Sequence, residues 1–316
     1  SWRIIGEDLK KAVSDLKAGR NVQLPKKTAS FKEWAEALDS YRQSEDLLDE
    51  FSYWKLLNNK LKEGGLKNIR RENEYECIEN YDRIHISLSP IMTDKLLKEV
   101  GKAFNTQIND ILLAALARTI GKMENQQYLG VMLEGHGREQ IDIDIDIDRT
   151  VGWFTICYPI VLNCELALED TIIETKEMLR NIPNKGIGYG LLKSRLEDTT
   201  VDISFNYLGE IDAEGNNVGA LVRGQDISNK NITDSLIDFN LCVSNKQLDI
   251  SIRYKVDYIT KAFAQQLVEQ YELTLEEIIN HCVNQEKRQN TASDYDITDM
   301  SNQEFQLLLE MYGGKF

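Results

Sequence analysis

The chain has little proline and no cysteine pairs at the spacing of metal or redox motifs. Its 316 residues include four prolines and five cysteines, and no two cysteines stand in a CxxC arrangement. An odd number of unclustered cysteines indicates reduced thiols and a cytoplasmic protein rather than a disulfide scaffold. The three histidines lie far apart in the sequence, so we expect no zinc site and no other bound metal.

The sequence also lacks a basic surplus, a long apolar run and a signal-peptide pattern in its first residues. Its formal net charge is −15, which argues against nucleic acid or an anionic membrane as a main partner, because both require a basic surface. No apolar stretch reaches the roughly 18 residues of a membrane span, and the first residues show no signal-peptide pattern. Because the chain does not begin with methionine, we expect a fragment of a longer protein.

Periodicity predicts an α/β protein, and the length favours two lobes. We expect helices at 1–19, from Phe31 with Ser30 as its cap, at 47–57, at 94–104 with Thr93 as its cap, after Thr106, at 170–180, at 259–283 and at 302–312. We expect strands at 84–88, 128–133, 154–162, 201–208, 236–243 and 248–256. The charged stretch 58–76 is interpreted as a solvated linker, and the chain from Asn284 onward as a polar tail.

Two dense motifs stand in the middle of the chain. Residues 133–140 read LEGHGREQ, and residues 149–162 read RTVGWFTICYPIVL. Glu134 follows a predicted strand, and the glycines beside it let the backbone approach a ligand closely or adopt a positive φ. A carboxylate on such a turn can act as a general base. The alternative is an ordinary turn that carries surface charges.

An acidic repeat separates the two motifs. Residues 141–148 read IDIDIDID, and as a strand they would place four aspartates on one face, where like charges repel. Clustered carboxylates can also bind calcium. We favour an exposed edge strand or loop over a calcium site.

The motif pair EGHGRE at 134–139 and RTVGWFT at 149–155 resembles the signature of the epimerization domains of nonribosomal peptide synthetases. Three further segments are similar to family motifs in the same order: FNTQINDILL at 104–113, NKGIGYG at 184–190 and FNYLG at 205–209. The resemblance implies a chloramphenicol-acetyltransferase-like α/β fold of two lobes around a tunnel. It divides the chain into a C-terminal remnant of an incomplete first lobe with a linker (1–75), a second lobe (76–287) and a tail or docking segment (288–316).

The family's other hallmark, an HHxxxDG motif, has no counterpart in this sequence. Ser1-Trp2-Arg3 resembles the SWR that follows that motif, which implies that the catalytic histidine lies upstream and that the missing N-terminal part of the domain is a partner. We expect the 316 residues alone to be inactive and poorly soluble, because half a lobe leaves apolar surface uncovered.

The resemblance implies an isomerase that inverts the α-carbon of an aminoacyl or peptidyl thioester from L to D. The substrate is carried on the 4'-phosphopantetheine of a carrier protein, and the domain itself binds no cofactor. The implied partners are an upstream peptidyl carrier protein and a downstream condensation domain. Inversion requires removal of the α-proton, its return on the opposite face, and donors for the enolate oxygen.

Within this chemistry Glu134 is the expected proton-transfer group, with a pKa raised by desolvation in the tunnel. Tyr207 and Asn206 are expected to orient the thioester or to donate to the enolate, with Tyr207 preferred. Because these two residues alternate along a predicted strand, both reach the site only if the strand twists or ends there.

Five further motif residues are expected to support the site: His136, Arg138, Arg149, Gly152 and Trp153. We expect His136 to form hydrogen bonds within its own loop, and Arg138 to brace that loop by pairing with an acid. Arg149 should brace the second motif in the same way. Gly152 would let the strand pass close to the tunnel, and Trp153 would be a wall or core residue.

Two other functions are compatible with parts of the sequence. A condensation domain would join a donor acyl thioester to an acceptor amine, but Glu134 and the tryptophan of RTVGWFT favour the epimerizing branch. A catalytically silent module would only dock carrier proteins, and the presence of Glu134, Asn206 and Tyr207 argues against that. The helix predicted at 302–312 either pairs with a downstream synthetase or is a frayed end.

Overall fold

The computed structural model describes residues 1–67, 69, 81–139, 145–210, 235–295, 297, 300 and 302–311. In this part of the chain the strands form one six-stranded sheet in the order β1-β6-β5-β4-β2-β3. The strands are β1 (Tyr81–Ser87), β2 (Tyr128–Gly135), β3 (Ile156–Asn163), β4 (Ile203–Glu210), β5 (Ile237–Ser244) and β6 (Gln247–Lys255). The central strands β2, β4 and β5 are parallel, and the outer pairs are antiparallel. The mixed α/β fold is as predicted.

Helices account for most of the remaining described residues. They are α1 (Trp2–Lys17), α2 (Phe31–Tyr41), α3 (Glu45–Leu61), α4 (Pro90–Lys98), α5 (Gly101–Phe104), α6 (Ile108–Glu124), α7 (Leu168–Arg180), α8 (Ile187–Leu192), α9 (Lys261–Val283) and α10 (Asn302–Met311). Each helix overlaps a predicted one except the short α8, which falls in the glycine-rich segment. The single helix expected at 94–104 is divided into α4, which begins four residues earlier, and α5.

The N-terminal caps of three helices show how far the local sequence determines where a helix begins. Ser30 and Glu33 form the predicted capping box of α2. The prediction that Thr93 is a cap is wrong, because Ser89 caps α4. Thr93 is instead buried and accepts a hydrogen bond from the Leu248 amide at 3.0 Å. The cap of α6 lies at Gln107, one residue after the predicted Thr106.

One face of the sheet packs on helices α6 and α9. On β6 the even-numbered residues Leu248, Ile250, Ile252 and Tyr254 are fully buried, whereas the odd-numbered ones are partly exposed. Phe239 of β5 packs against Tyr271 of α9 with ring centroids 5.5 Å apart. Strand alternation therefore gives the sheet an apolar helix-covered face and an opposite, polar face.

The expected solvated linker at 58–76 is wrong for the residues before 68. Asn58, Leu61 and Leu66 are buried, and the Leu66 amide donates to the Asp202 carboxylate at 2.8 Å. The reason is that α3 packs along the edge strand β3 and against α8. Leu47 and Trp54 of this helix are completely buried in the same core as the sheet. The proposed lobe boundary near residue 75 lies outside the described residues.

The expectation of a polar tail is also wrong for residues 289–295. Thr291 and Ala292 are buried, and the Gln289 amide donates to the Ala103 carbonyl at 2.8 Å. The carboxylate of Asp294 lies 2.6 Å from both Lys176 Nζ and Arg180. Polar composition misleads here because the polar groups bond to one another inside the protein rather than to water.

Candidate active site

The structure brings Glu134 and Asn206 together. Glu134 is the penultimate residue of β2, and Asn206 lies on β4, its parallel neighbour, where Leu133 pairs with Phe205. The Asn206 side-chain amide donates to Glu134 Oε2 at 2.9 Å. Strand pairing thus joins residues that are 72 positions apart in sequence. The amide holds one carboxylate oxygen, and no described side chain donates a hydrogen bond to the other, Oε1.

The environment of Glu134 favours its protonated form more than water does. Partial burial, followed by the negative charge of Asp238, raises the pKa of the Glu134 carboxyl above its ordinary value. The direction agrees with the expectation and strengthens the carboxylate as a base. The residue is nevertheless solvent-exposed in this chain, so the predicted shelter from bulk water is not provided by the described residues.

Asp238 is itself firmly held. Arg253 donates to Asp238 Oδ2 through Nε at 2.9 Å and Nη2 at 2.6 Å. The Ser204 hydroxyl donates to Asp238 Oδ1 at 2.5 Å. The guanidinium carbon of Arg253 also lies 4.5 Å above the ring of Tyr81. Neither Asp238 nor Arg253 was identified from the sequence as a neighbour of the candidate site. The alternation in DFN at 238–240 and in DISIR at 249–253 is the signal that places both on one face.

Tyr207 is not brought to Glu134. It follows Asn206 on β4, and side chains on successive strand residues point to opposite faces. It pairs with Leu241, a fully buried residue of the helix-covered face. Burial, then the charges of Glu210 and Cys242, raise the pKa of the Tyr207 hydroxyl. The strand extends to Glu210, but its pairing with β5 shifts register between Tyr207 and Glu210. Up to Tyr207 the alternation is regular, so the Tyr207 and Asn206 side chains lie on opposite faces.

The first motif loop is held by its own residues, as predicted for His136. His136 Nδ1 accepts from the Arg138 amide at 3.0 Å, and its Nε2 lies 3.1 Å from Glu139 Oε1. Gly137 has φ 64°, and a Cβ there would lie 1.7 Å from the Phe154 carbonyl oxygen. Only glycine fits such a position.

Arg138 braces the loop, but its partners differ from the expected acid. Its guanidinium donates to the carbonyl oxygens of Ile147 and Thr150, each at 2.6 Å. It also stacks 3.8 Å from the centroid of Phe154, which is buried. The side chain therefore links the first motif to the second.

The second motif is linked to helix α1. Arg149 pairs with Glu7 at 3.1 Å and also with Asp8. Gly152 lies outside the strands, and a Cβ there would be 2.3 Å from the Phe31 ring. Trp153 is 79% exposed, so a core position is wrong for this residue and the wall of a tunnel stays a prediction.

The acidic repeat is described only in part. Residues 145–148 form an irregular loop in which Ile147 is buried and Asp146 and Asp148 are exposed. Residues 140–144 lie outside the described range. Among the residues that the structure does describe, no cluster of histidine, cysteine and acidic side chains could hold a metal ion. The described cysteines, at 157, 164, 242 and 282, are free thiols, and Cys77 is not described.

The glycine-rich segment is a tight turn fixed by a buried acid. Asn184, Lys185 and Gly186 have φ values of 41°, 54° and 89°. The Asn184 amide donates to Glu50 Oε1 at 2.7 Å, and Trp54 Nε1 donates to Oε2 of the same carboxylate at 2.9 Å. Nothing in the sequence pointed to Glu50, because its partner is 134 residues away.

Comparison with known sequences gives the family. A family profile described as "Condensation domain" matches residues 1–300. The chain belongs to the condensation domain family. It is 37% identical to bacitracin synthase 2 of Bacillus licheniformis over 99% of its length, and 32% identical to tyrocidine synthase 1 of Brevibacillus parabrevis over 98%. It spans only 12% and 31% of those two proteins.

Solved structures of this family share the fold. The crystal structure of the epimerization domain from the third module of tyrocidine synthetase B is 34% identical, with a TM-score of 0.80, and the match covers 91% of this chain and 67% of that one. An X-domain from teicoplanin biosynthesis, at 16% identity and a TM-score of 0.63, shares the fold alone. No helix among the described residues of this condensation-family chain is long and apolar enough to cross a membrane.

Proposed function

We propose that this condensation-family domain epimerizes the α-carbon of an aminoacyl or peptidyl thioester held on the phosphopantetheine of a carrier protein. The observation that carries the proposal is the Glu134 carboxylate, bonded to Asn206 at 2.9 Å and placed at the end of a central strand with a raised pKa. The similarity to a tyrocidine epimerization domain at 34% identity supports the same reaction.

In the proposed reaction Glu134 removes the proton from the α-carbon. The electron pair of the broken C–H bond moves onto the thioester carbonyl as an enolate. A second group on the opposite face then returns a proton to the carbon, which inverts its configuration. Asn206 holds the carboxylate in place through the bond to Oε2. The upward shift moves the pKa of Glu134 closer to the pKa of a general base that works near neutral pH.

The second group is assigned to the part of the domain upstream of Ser1. Helix α1 presents an apolar stripe to solvent, in which Trp2, Leu9 and Leu16 are 69%, 53% and 66% exposed. A stripe of this kind is what an incomplete first lobe would leave uncovered. We propose that residues 1–75 complete that lobe with upstream residues, that 76–287 form the second lobe, and that 288–316 lead toward a downstream condensation domain in a cytoplasmic synthetase.

The test is Glu134→Gln in a complete domain acting on a loaded carrier protein in deuterium oxide. Removing a general base typically costs 10²- to 10⁴-fold in rate, so we expect wash-in of deuterium at the α-carbon to fall by about that factor. Glu139→Gln is the matched control, because it removes a carboxylate from the same motif that contacts His136. An unchanged exchange rate in Glu134→Gln would refute the assignment.

The same complete domain and loaded carrier protein distinguish epimerization from two alternative functions. A condensation domain would release a new amide when offered a second, aminoacylated carrier protein, and would not exchange the α-proton. A silent docking module would bind the carrier protein and do neither. The link between Glu134 and Asn206 favours epimerization over both, because neither alternative needs a proton-transfer carboxylate held by an amide.

A further inference from the structure

A row of polar side chains crosses the whole sheet at the level of Glu134. The register places its members side by side on one face, one on each strand: Cys157, Glu134, Asn206, Asn240, Ser251 and His85. Neighbouring strands lie about 4.8 Å apart, so the part of this polar row from Glu134 to His85 is roughly 19 Å long. The candidate proton-transfer group thus lies near one end of a polar track.

The middle of the polar row differs from an ordinary solvated sheet face. Asparagine is disfavoured in strands, yet Asn206 and Asn240 are adjacent on parallel strands. Asn240 is exposed and Ser251 partly exposed. Within the described part of the chain, no side-chain hydrogen bond is formed by either of these two residues. Their donors and acceptors are therefore not taken up by other described side chains.

The carboxylates beside the row are, in contrast, already bonded to neighbouring side chains. On one side, Asp238 is held by Arg253 and Ser204. On the other, Asp249 accepts from Ser87 at 2.6 Å and also from Ser244, and its Oδ1 lies 3.4 Å from Nε2 of His85 at the far end of the row. Two paired rows therefore flank a central row of uncharged groups that leads away from Glu134. The pairing prevents the flanking carboxylates from taking up the amides and hydroxyl between them.

We propose that Asn240 and Ser251 bind the secondary amides of the extended chain attached to the reacting carbon. The inference rests on the proposed epimerization and extends the site away from Glu134. An asparagine amide both donates and accepts, and a serine hydroxyl does the same, so together they match N–H and C=O groups along an extended chain. Such amides occur both in the peptide that precedes an epimerized residue and in the phosphopantetheine arm.

The test uses the complete domain with Asn240→Ala, Ser251→Ala and the double variant. Each is assayed for deuterium wash-in on an aminoacyl carrier protein and on a tripeptidyl carrier protein. One lost hydrogen bond corresponds to about 3- to 10-fold in kcat/KM. A loss confined to the tripeptidyl substrate assigns the row to the peptide, and an equal loss on both substrates assigns it to the arm. No change beyond twofold on either substrate would overturn the inference.

Arg83→Ala is the matched control, because Arg83 is exposed on the same face, two residues from His85 and outside the polar row. We expect its exchange rates to equal those of the wild type. A binding measurement separates this inference from the proposed function. The affinity of a stable tripeptidyl pantetheine amide for Asn240→Ala should fall even if Glu134→Gln proves that the carboxylate is not the base. Unaltered affinity together with unaltered exchange would exclude the row as a binding site.

Discussion

Two segments near the ends of the described chain, α1 and residues 289–295, are integrated very differently. Helix α1 keeps an apolar stripe exposed and is tied to the second motif by polar contacts, mainly through Arg149. Residues 289–295, which look like a tail in sequence, enclose the Asp294 carboxylate at 3% exposure against Lys176, whose side chain is fully buried. The apolar helix is thus the more loosely held end and the polar segment the more tightly held one. Composition predicts burial poorly where polar groups can satisfy one another.

The largest expected effect on the free energy of unfolding comes from disrupting the ion pairs of residues 289–295. The Asp294 carboxylate is paired with both Lys176 and Arg180. Asp294→Ala would therefore leave the buried Lys176 ammonium without that counter-charge and with the positive charge of Arg180 nearby. Removing one partner of a buried pair costs about 3–5 kcal/mol. We expect the free energy of unfolding of the complete domain, measured in urea, to fall by that amount. Asp39→Ala, at an exposed position of α2, should change it by no more than about 0.5 kcal/mol. Equal effects of the two substitutions would contradict the anchoring.

A second expectation concerns pH. Burial disfavours ionised Asp294, but hydrogen bonds from Lys176 and Arg180 outweigh it and hold the pKa of Asp294 below its usual value. Stability from a lowered carboxyl pKa is fully present above the unfolded value of roughly 3.9 and is lost as the pH falls toward the folded pKa.

The stability difference between the wild type and Asp294→Asn should therefore be constant near neutrality and should shrink below about pH 4. Burial raises the pKa of Asp110 to about 6, against the charges of Arg180 and Lys176. Because Asp294 pairs with the same two cations, the constant difference is measured above the titration range of Asp110. Urea unfolding across a pH series provides the measurement. A difference that grows on acidification would show that the carboxyl is not stabilised as an anion.

The smallest expected effect comes from the loose end. Arg149→Gln removes the ion pairs with Glu7 and Asp8, and both acids are partly exposed. Pairs of this kind contribute about 0–1 kcal/mol, so the free energy of unfolding should change little. Proteolysis within α1 should nevertheless become faster in this variant. A loss as large as that of Asp294→Ala would show that α1 is as firmly integrated as residues 289–295.

Local signals in the sequence predicted most helices and strands. The residues that surround Glu134 are determined by the pairing between strands. The helix cap at Ser30 was predicted because it depends on neighbouring residues. The hairpin between β5 and β6 is local in the same sense. The turn of that hairpin has positive φ at Asn245 and Lys246, as a two-residue turn requires. Glu134 was identified through its motif.

What could not be predicted was which supports reach that carboxylate. Asn206 and Tyr207 are adjacent in sequence, and only the pairing of β4 with β2 shows that Asn206 contacts Glu134. Asp238 and Arg253 come from strands far along the chain, so their contribution depends on sheet order rather than on local pattern. Sheet order follows from long-range packing, which no window of sequence contains.

The backbone conformation at Gly137 affects what can be inferred when a related sequence contains the same motif. Gly137 and Arg138 give the loop its shape. The backbone of Gly137 lies so close to the Phe154 carbonyl oxygen that a Cβ would not fit, and the Arg138 guanidinium joins the two motifs. Neither needs a carboxylate beside it. A homologue that has lost the acid could therefore keep the rest of the signature and the same loop. A matching motif is then evidence of the loop's architecture, and the proposed reaction requires in addition a carboxylate at position 134.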